Sequence, residues 1–240
     1  YKKSFTIALE NKDKITSIIF DGVYRNSQVW INGHYLGKRP NGYIGFQYDL
    51  SPYLNYGDKI NEIIVKVDNS KQPNSRWYSG SGIFRNVWLE TTNKLYVDQW
   101  GTYITTSKVT AQTASVHIET TLKNRYNSSK SAVVTTTIFK NYTKITSATQ
   151  NVTIAANASQ VQNQDIIVKN PVLWSVEKPE QYTAVTTISI ESTIIDEYKT
   201  NFGIRNFKFD LNKGFILNGK QVKIKGVCMH HDLGPLGSAI

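Results

Sequence analysis

The chain has 240 residues, room for two domains and part of a third, and 40% of them are hydrophobic, which is enough for packed cores. The formal net charge is +10, but the lysines are scattered without a run of five like charges or a nucleic-acid-binding motif, so we exclude a nucleic-acid partner and assign the charge to a solvated surface. The single cysteine, Cys228, excludes an internal disulfide framework, and no stretch is apolar for long enough to cross a membrane.

The first part of the chain has the pattern of short strands separated by turns. Buried or returning strands are predicted at Ile15–Phe20, Gln28–Ile31, His34–Leu36, Asn61–Val67 and Val87–Leu89. The pair Asn32-Gly33 predicts a tight hairpin, because both turn positions need a positive φ that these residue types adopt. No window shows a sustained helical period. We therefore predict a β-sandwich of the jelly-roll type.

A second series of strands begins at Val97. Its members are predicted at Ser115–Leu122, Ala132–Phe139, Val152–Ile154, Asp165–Val168 and Tyr182–Ser192. The polar tracts 124–130 and 157–163 are predicted to be loops. The number and spacing of these strands favour an immunoglobulin-like sandwich.

A third region follows, with strands predicted at Phe207–Asp210 and Phe215–Leu217 and a second tight turn at Asn218-Gly219. The predicted boundaries are 1–94, 95–204 and 205–240. Phe215, Ile216, Val222 and Ile224 are apolar and need a partner layer, so we expect the last region to be the start of a larger domain. The chain begins without Met, and we expect its natural N-terminus to lie upstream.

Residues able to carry chemistry are few. The adjacent pair Asp196-Glu197 would point to opposite faces of a strand, so it does not form paired carboxyl groups for acid and base chemistry. No nucleophile elbow, phosphate-binding glycine loop or metal-ligand spacing occurs. The best polar group is His230-His231-Asp232, which follows a strand-like run; a cluster of loop residues satisfied by its neighbours is the equal alternative.

The segment R-W-Y-S-G-S-G-I-F-R-N-V-W-L, residues Arg76–Leu89, closely resembles a signature of glycoside hydrolase family two. Other pieces similar to that family follow in its order: Phe20–Gly37, Phe46–Leu54, Asn170–Tyr182, Phe202–Arg205 and Phe215–Val227. The resemblance covers essentially the whole chain. It implies a sugar-binding-type sandwich, an immunoglobulin-like sandwich and the truncated start of a TIM barrel, hence an all-β chain.

The resemblance implies a retaining hydrolase of β-linked sugars, with β-galactosidase the first expectation and β-glucuronidase or β-mannosidase the alternatives. The two catalytic Glu residues are expected beyond Ile240, so no residue here is assigned a catalytic role and the chain alone is expected to be inactive. No cofactor is implied, and a metal ion in the whole enzyme is left open. A carbohydrate substrate and a homo-oligomer are the implied partners. The alternative from another class is a stand-alone binding or adhesion module.

Site residues follow from the resemblance position by position. The histidine that lines the sugar site after the first barrel strand corresponds to His230. His231 and Asp232 depart from the N-R-H-E-H pattern of the better-known galactosidases, and C-M-H-H-D looks more like a subgroup of gut bacteria. Arg76 and Trp77 are the residues of the first sandwich that would reach the mouth of the barrel, although for Trp77 packing at the sandwich edge is the favoured role. Location is left open, with a bacterial periplasmic or secreted protein favoured.

Overall fold

A computed structural model describes residues 1–71 and 80–227. These residues form two compact units, which we call unit 1 (Tyr1–Thr92) and unit 2 (Asn93–Gly226). Apart from two single-turn 3-10 helices, Leu9–Asn11 and Ser51–Tyr53, every regular element described is a strand, which confirms the all-β prediction. No helix in the described part of the chain is long and apolar enough to cross a membrane.

Unit 1 is a sandwich of two antiparallel sheets. Its strands are β1 (Lys2–Phe5), β2 (Ile15–Phe20), β3 (Val23–Tyr24), β4 (Ser27–Ile31), β5 (His34–Arg39), β6 (Phe46–Asp49), β7 (Asn61–Lys66), β8 (Gly82–Ile83) and β9 (Val87–Thr92). One sheet has the order β1-β7-β4-β5, the other the order β6-β2-β9, and β3 pairs with β8.

The core of unit 1 forms where the inner faces of these sheets meet. Phe20 on β2 stacks on Phe46 at 4.9 Å between ring centroids, and both pack with Val29 and Ile31 of β4. Alternate residues of β4 are buried, as the period of a half-buried strand requires. The predicted hairpin between β4 and β5 is confirmed, since the turn residues before His34 have φ of 48° and 83°.

Unit 2 is a second antiparallel sandwich. Its strands are β10 (Leu95–Ser107), β11 (Thr113–Asn124), β12 (Lys130–Lys140), β13 (Thr143–Ile154), β14 (Ser159–Lys169), β15 (Tyr182–Ile190), β16 (Thr193–Phe202), β17 (Phe207–Asp210), β18 (Gly214–Leu217) and β19 (Lys220–Gln221). A three-stranded sheet, β10-β11-β14, packs on a four-stranded sheet, β13-β12-β15-β16, and β17-β18-β19 form a small third sheet. Seven strands in three-plus-four sheets agree with the predicted sandwich.

Strict alternation builds the core of unit 2. On β15, Tyr182, Ala184, Thr186 and Ile188 are buried while the residues between them are only partly covered. The one polar member, Thr186, is bonded through its hydroxyl to that of Thr136 on β12 at 3.0 Å. A buried hydroxyl therefore keeps a hydrogen-bond partner inside the apolar layer, as burial of a polar group requires.

Two strand predictions in unit 2 were wrong. The strand expected at Tyr182–Ser192 ends at Ile190, because Glu191 and Ser192 turn the chain with φ of 48° and 68° and send it back as β16. The tract 157–163 is not a loop throughout, since β14 begins at Ser159. The polar residues of this tract suggested a loop, but they belong to a strand in which every second residue faces solvent. Gln162 and Gln164 lie on its other face and are buried despite their polarity.

The hairpin of β17 and β18 also differs from its prediction. Ile216 and Leu217 are buried within unit 2, although Ile216 was expected to lack a partner layer. Ile224 is exposed as expected, and Phe207 and Phe209 are exposed as well, with their rings 6.2 and 5.3 Å from that of Phe215. In the hairpin Phe207 pairs with Leu217 and Phe209 with Phe215.

Strand β10 carries a wide bulge, which we call the Trp100 bulge. Its pairing with β11 shifts between Val97 and Thr102, so residues 98–101 lie opposite Thr121 alone. Trp100 has a φ of 51°, in the left-handed region, which costs a bulky side chain roughly 1–3 kcal/mol. Such a conformation persists only where the surrounding structure holds it in place.

Side chains of β16 hold the Trp100 bulge by accepting hydrogen bonds from its free N–H groups. The N–H of Trp100 donates to the hydroxyl of Tyr198 at 3.1 Å, and the N–H of Val97 donates to Oδ2 of Asp196 at 2.9 Å. Burial raises the pKa of the Asp196 carboxyl, and the N–H groups of Val97 and Glu197 oppose that shift. The raised pKa shows that desolvation outweighs the hydrogen bonds that stabilise the carboxylate.

The raised pKa of Asp196 predicts a pH-dependent stability. The pKa of this carboxyl is higher in the folded chain than in the unfolded chain, where it is about 4. The folded chain therefore binds the proton more tightly, and the free energy of unfolding falls as pH rises from about 4 through the folded pKa. Asp196→Asn keeps an acceptor for the N–H of Val97 without a buried charge, so this part of the fall should disappear. Urea unfolding between about pH 4 and pH 7 measures it. Identical pH slopes in the wild type and Asp196→Asn would contradict the assignment, and Glu177→Gln on the exposed surface is the control.

Candidate functional site

All five predicted site residues lie outside the described residues. Arg76 and Trp77 belong to residues 72–79, and His230, His231 and Asp232 belong to residues 228–240. What the structure describes is the frame from which each of these segments leaves. We call the first frame the Asp68 turn and the second the Asn218 latch.

The Asp68 turn precedes residues 72–79. The carboxylate of Asp68 accepts hydrogen bonds from the hydroxyl of Ser70 at 2.7 Å and from the N–H of Ser70 at 3.0 Å. These two bonds hold the pKa of Asp68 below its usual value, and the bond from the hydroxyl has the larger effect. The N–H of Asp68 donates to the carbonyl of Arg25 at 3.1 Å, and the amide of Asn26 donates to the carbonyl of Asp68 at 3.0 Å. The chain is therefore fastened to residues 25–26 before it enters residues 72–79.

The chain is fastened again after residues 72–79. Strand β8 pairs with β3, with Ile83 opposite Val23 and Gly82 opposite Tyr24. Both ends of the segment that carries Arg76 and Trp77 are thus tied to one short stretch, residues 23–26.

Two side chains near this frame were not singled out from the sequence. Arg85 is exposed, and its guanidinium lies over the ring of Phe84 at 5.8 Å. Tyr43 was not singled out, and it is about half exposed with its ring edge-on to buried Tyr24 at 5.2 Å. Nothing in the local sequence marks Tyr43, because its contact depends on the fold that brings β3 beside residues 40–43.

One cavity of unit 1 has a different character. It is a cleft of about 550 Å³ between the free edges of β1 and β9, lined by Lys3, Phe5, Ile18, Phe20, Ile63, Val65, Ile83, Val87 and Leu89 among others. Apolar side chains dominate, and no converging set of hydrogen-bonding groups is present among them. A polar small molecule needs such groups to fix its orientation, so this cleft suits an apolar segment instead.

The Asn218 latch precedes residues 228–240. Oδ1 of Asn218 accepts the N–H of Asn206 at 3.0 Å, and Nδ2 of Asn218 donates to the carbonyl of Trp174 at 2.9 Å. The N–H of Trp174 in turn donates to the carbonyl of Ile204 at 2.9 Å. One amide side chain thereby joins the turn after β18 to two loops of unit 2.

Arg205 completes this arrangement, because its guanidinium lies 5.4 Å from the centre of the Trp174 ring. The N–H of Val222 donates to the carbonyl of Phe215 at 2.9 Å, which directs the chain from β19 toward residue 227. Three sequence motifs that were noted separately, at residues 170–182, 202–205 and 215–227, thus meet in one place. Their meeting fastens the hairpin of β18 and β19 to two loops of unit 2.

No metal centre is indicated in the part of the chain that the structure describes. Within residues 1–71 and 80–227, no group of three or more His, Cys, Asp or Glu side chains is placed to hold a metal ion. The Asp68 turn and the Asn218 latch consist of hydrogen bonds and ring contacts, and both fasten the backbone.

Two family models match the chain one after the other. The model described as glycosyl hydrolases family 2, sugar binding domain, matches residues 1–93, and the model described as glycosyl hydrolases family 2 matches residues 95–205. The first match covers unit 1 with the Asp68 turn, and the second covers the two sandwich sheets of unit 2 with Trp174 and Arg205.

Similar proteins include a β-galactosidase of Bacteroides ovatus, 47% identical over the whole chain, which covers 28% of that protein. A putative β-glucuronidase of Formosa agariphila is 41% identical over the whole chain, which covers 22% of it. A solved glycosyl hydrolase family 2 structure from Bacteroides cellulosilyticus has a TM-score of 0.94 at 36% identity and covers 99% of this chain and 33% of that one. The chain therefore spans between about a fifth and a third of the length of these relatives.

The Asn218 latch yields a stability prediction. Asn218→Gly removes both side-chain hydrogen bonds but tolerates the φ of 49° at this position, so any loss reflects the latch and not the turn. We expect the free energy of unfolding to fall by about 1–3 kcal/mol, the usual range for two lost bonds of this kind. Urea unfolding of unit 2 measures the change, with Asn212→Ala in the turn of the same hairpin as the control. Equal midpoints for Asn218→Gly and Asn212→Ala would show that the latch contributes nothing.

Proposed function

The chain belongs to glycoside hydrolase family 2, and from this we propose that it is the non-catalytic N-terminal part of a hydrolase of β-linked sugars, with a β-galactoside as its substrate. The observation that carries the proposal is 47% identity over the whole chain to a protein named β-galactosidase. Supporting it, both consecutive family models describe glycosyl hydrolases, and the first describes a sugar-binding domain. A carbohydrate is accordingly the partner we assign.

We propose three structural regions, 1–94, 95–204 and 205–240, the last being the start of a TIM barrel. The hairpin of β17 and β18 supports a further layer of protein here. Phe209 is 74% exposed and Leu211 at its tip is fully exposed, close to the ring cluster of Phe207 and Phe215. Contiguous exposed apolar groups of this kind mark a contact surface. A catalytic barrel is the layer expected from the family.

In this proposal the chain shapes the sugar site but does not cleave the bond. Cleavage in such enzymes needs two carboxyl groups on either side of the glycosidic bond, which we place outside residues 1–240. The Asp68 turn holds the segment with Arg76, whose guanidinium offers a planar set of donors, and Trp77, whose indole offers a flat apolar face. The Asn218 latch directs the chain toward His230, His231 and Asp232, which offer imidazole and carboxylate groups to sugar hydroxyls.

A β-glucuronide is the second candidate substrate. It is favoured by a relative of 41% identity named as a putative β-glucuronidase. A glucuronide differs by one carboxylate, for which a guanidinium such as that of Arg76 is a strong bidentate partner. The relatives described above give β-mannoside no comparable support. A stand-alone adhesion module is disfavoured, because the relatives that match the whole chain bear the names of enzymes.

Substrate preference can be measured directly. We expect the whole protein that carries this chain to release a chromogenic group from a β-galactoside with a kcat/KM at least tenfold above that for the matching β-glucuronide. Residues 1–240 alone should release neither. If the whole protein turns over no β-glycoside, the proposal that it is a hydrolase is refuted. If it prefers the β-glucuronide, the β-glucuronide replaces the β-galactoside as the proposed substrate.

Arg76→Ala tests the proposed role of residues 72–79. If Arg76 donates to the bound sugar, its loss should weaken transition-state binding by roughly tenfold or more in kcat/KM, the range for a hydrogen bond from a charged group. Arg85→Ala is the matched control, because Arg85 is an exposed arginine that follows β8 in the chain and lies over the ring of Phe84. Unchanged kinetics for Arg76→Ala, or an equal loss for Arg85→Ala, would remove Arg76 from the site.

A further inference from the structure

The Trp100 bulge has no role in the frames described so far. Trp100 is held at a φ of 51° and yet 66% of its surface is exposed. A bulky residue persists in the left-handed region where the surrounding structure holds it, and such residues cluster at functional sites. Here the indole is turned outward, so burial of the side chain does not account for the conformation.

The bulge is built to keep this geometry. The N–H of Gln99 also has a partner, because the carboxylate of Asp98 accepts it at 2.9 Å while pairing with Lys123 at 2.8 Å. Gly101 permits the close return of the chain, because a Cβ there would lie 2.5 Å from the carbonyl oxygen of Asp98. Bulges of this kind redirect a side chain. The side chain redirected here is the indole of Trp100.

A second exposed ring follows on the same strand. Tyr103 is 62% exposed, lies within roughly 10 Å of Trp100 along the strand, and stands in register with Glu119 of β11. The next position on that face of the sheet holds His117, whose Nδ1 is 2.8 Å from Oδ1 of Asp165 and whose Nε2 is 3.8 Å from Oε1 of Glu119. Two aromatic faces and a row of hydrogen-bonding groups thus share one sheet.

We propose that Trp100 and Tyr103 form a carbohydrate-binding surface on unit 2 that takes a chain of β-linked sugars. A sugar ring has one apolar C–H face, which stacks on an aromatic ring, and a rim of hydroxyls, which bond to carboxylate, amide and imidazole groups. The surface offers both, with Glu119, His117 and Asp165 as the polar groups. A protein partner would favour a contiguous apolar core, whereas the positions that face Tyr103 and Thr105 on β11, Glu119 and His117, are polar.

The inference that the ligand is a sugar rests on the proposed function. The inference that this part of unit 2 is a binding surface rests on the geometry of the Trp100 bulge. Binding and cleavage therefore need separate readouts. Binding is measured by the retardation of the whole protein in native gels that contain soluble β-1,4-galactan or hydroxyethylcellulose, with α-linked dextran as the ligand control. Cleavage is measured on a small chromogenic β-galactoside, which is too short to span both rings.

Trp100→Ala and Tyr103→Ala should each weaken retardation by about five- to tenfold, the scale of one lost aromatic stacking contact, and leave kcat/KM on the small substrate within twofold. Trp100→Asn is the second variant, because Asn tolerates the left-handed conformation and keeps the bulge folded. It should lose retardation to the same extent at an unchanged melting temperature. Tyr142→Ala is the matched control, since Tyr142 is fully exposed in the turn between β12 and β13 and should leave binding unchanged.

Three binding results would each overturn the proposal: no retardation of the wild type by either β-linked polymer, wild-type retardation of Trp100→Asn, or an equal loss in Tyr142→Ala. Loss of small-substrate cleavage in parallel with retardation would also overturn it. A wild type that is retarded but cleaves no β-glycoside would leave this surface in place and refute only the proposed hydrolase.

Discussion

This structure depends on one constraint: where strand pairing breaks off, each backbone N–H and C=O group still needs a hydrogen-bond partner. Within the sheets the ladders supply those partners. At the breaks they come from side chains: the amide of Asn124 donates to the carbonyls of Ser128, Ile154 and Ala155, and the hydroxyl of Tyr182 accepts the N–H of Val172. Unpaired buried groups are costly, so each such residue stabilises one loop geometry over others.

The same constraint applies beside the two segments in which we propose sugar contacts. Asp68 and Asn218 stand at breaks in strand pairing, and each fastens the backbone that precedes one of these segments. In the proposal, the residues that contact the sugar are therefore different from those that hold the backbone. The core contributes a rigid base: inward-facing residues of both sheets pack in each unit, and their alternation leaves the outer faces free for polar side chains.

The sequence predicted much of this fold because its signals are local. Strand β2 was placed at its observed bounds, and the Asn-Gly turns at residues 32–33 and 218–219 have the expected positive φ values. Other features depend on distant partners and left no local signal. The Trp100 bulge needs Tyr198 and Asp196 from β16, and the polar start of β14 needs the burial of Gln162 and Gln164. The five predicted site residues lie outside the described ranges and stay predictions.

The central claim is that this member of glycoside hydrolase family 2 forms one wall of a sugar site with residues that the two frames position. A crystal structure of the whole protein with a bound β-galactose analogue tests it most directly. The account predicts hydrogen bonds, at about 2.7–3.2 Å, from the sugar to His230 and to Arg76. A sugar seated in the catalytic domain that contacts no residue between 1 and 240 would contradict it.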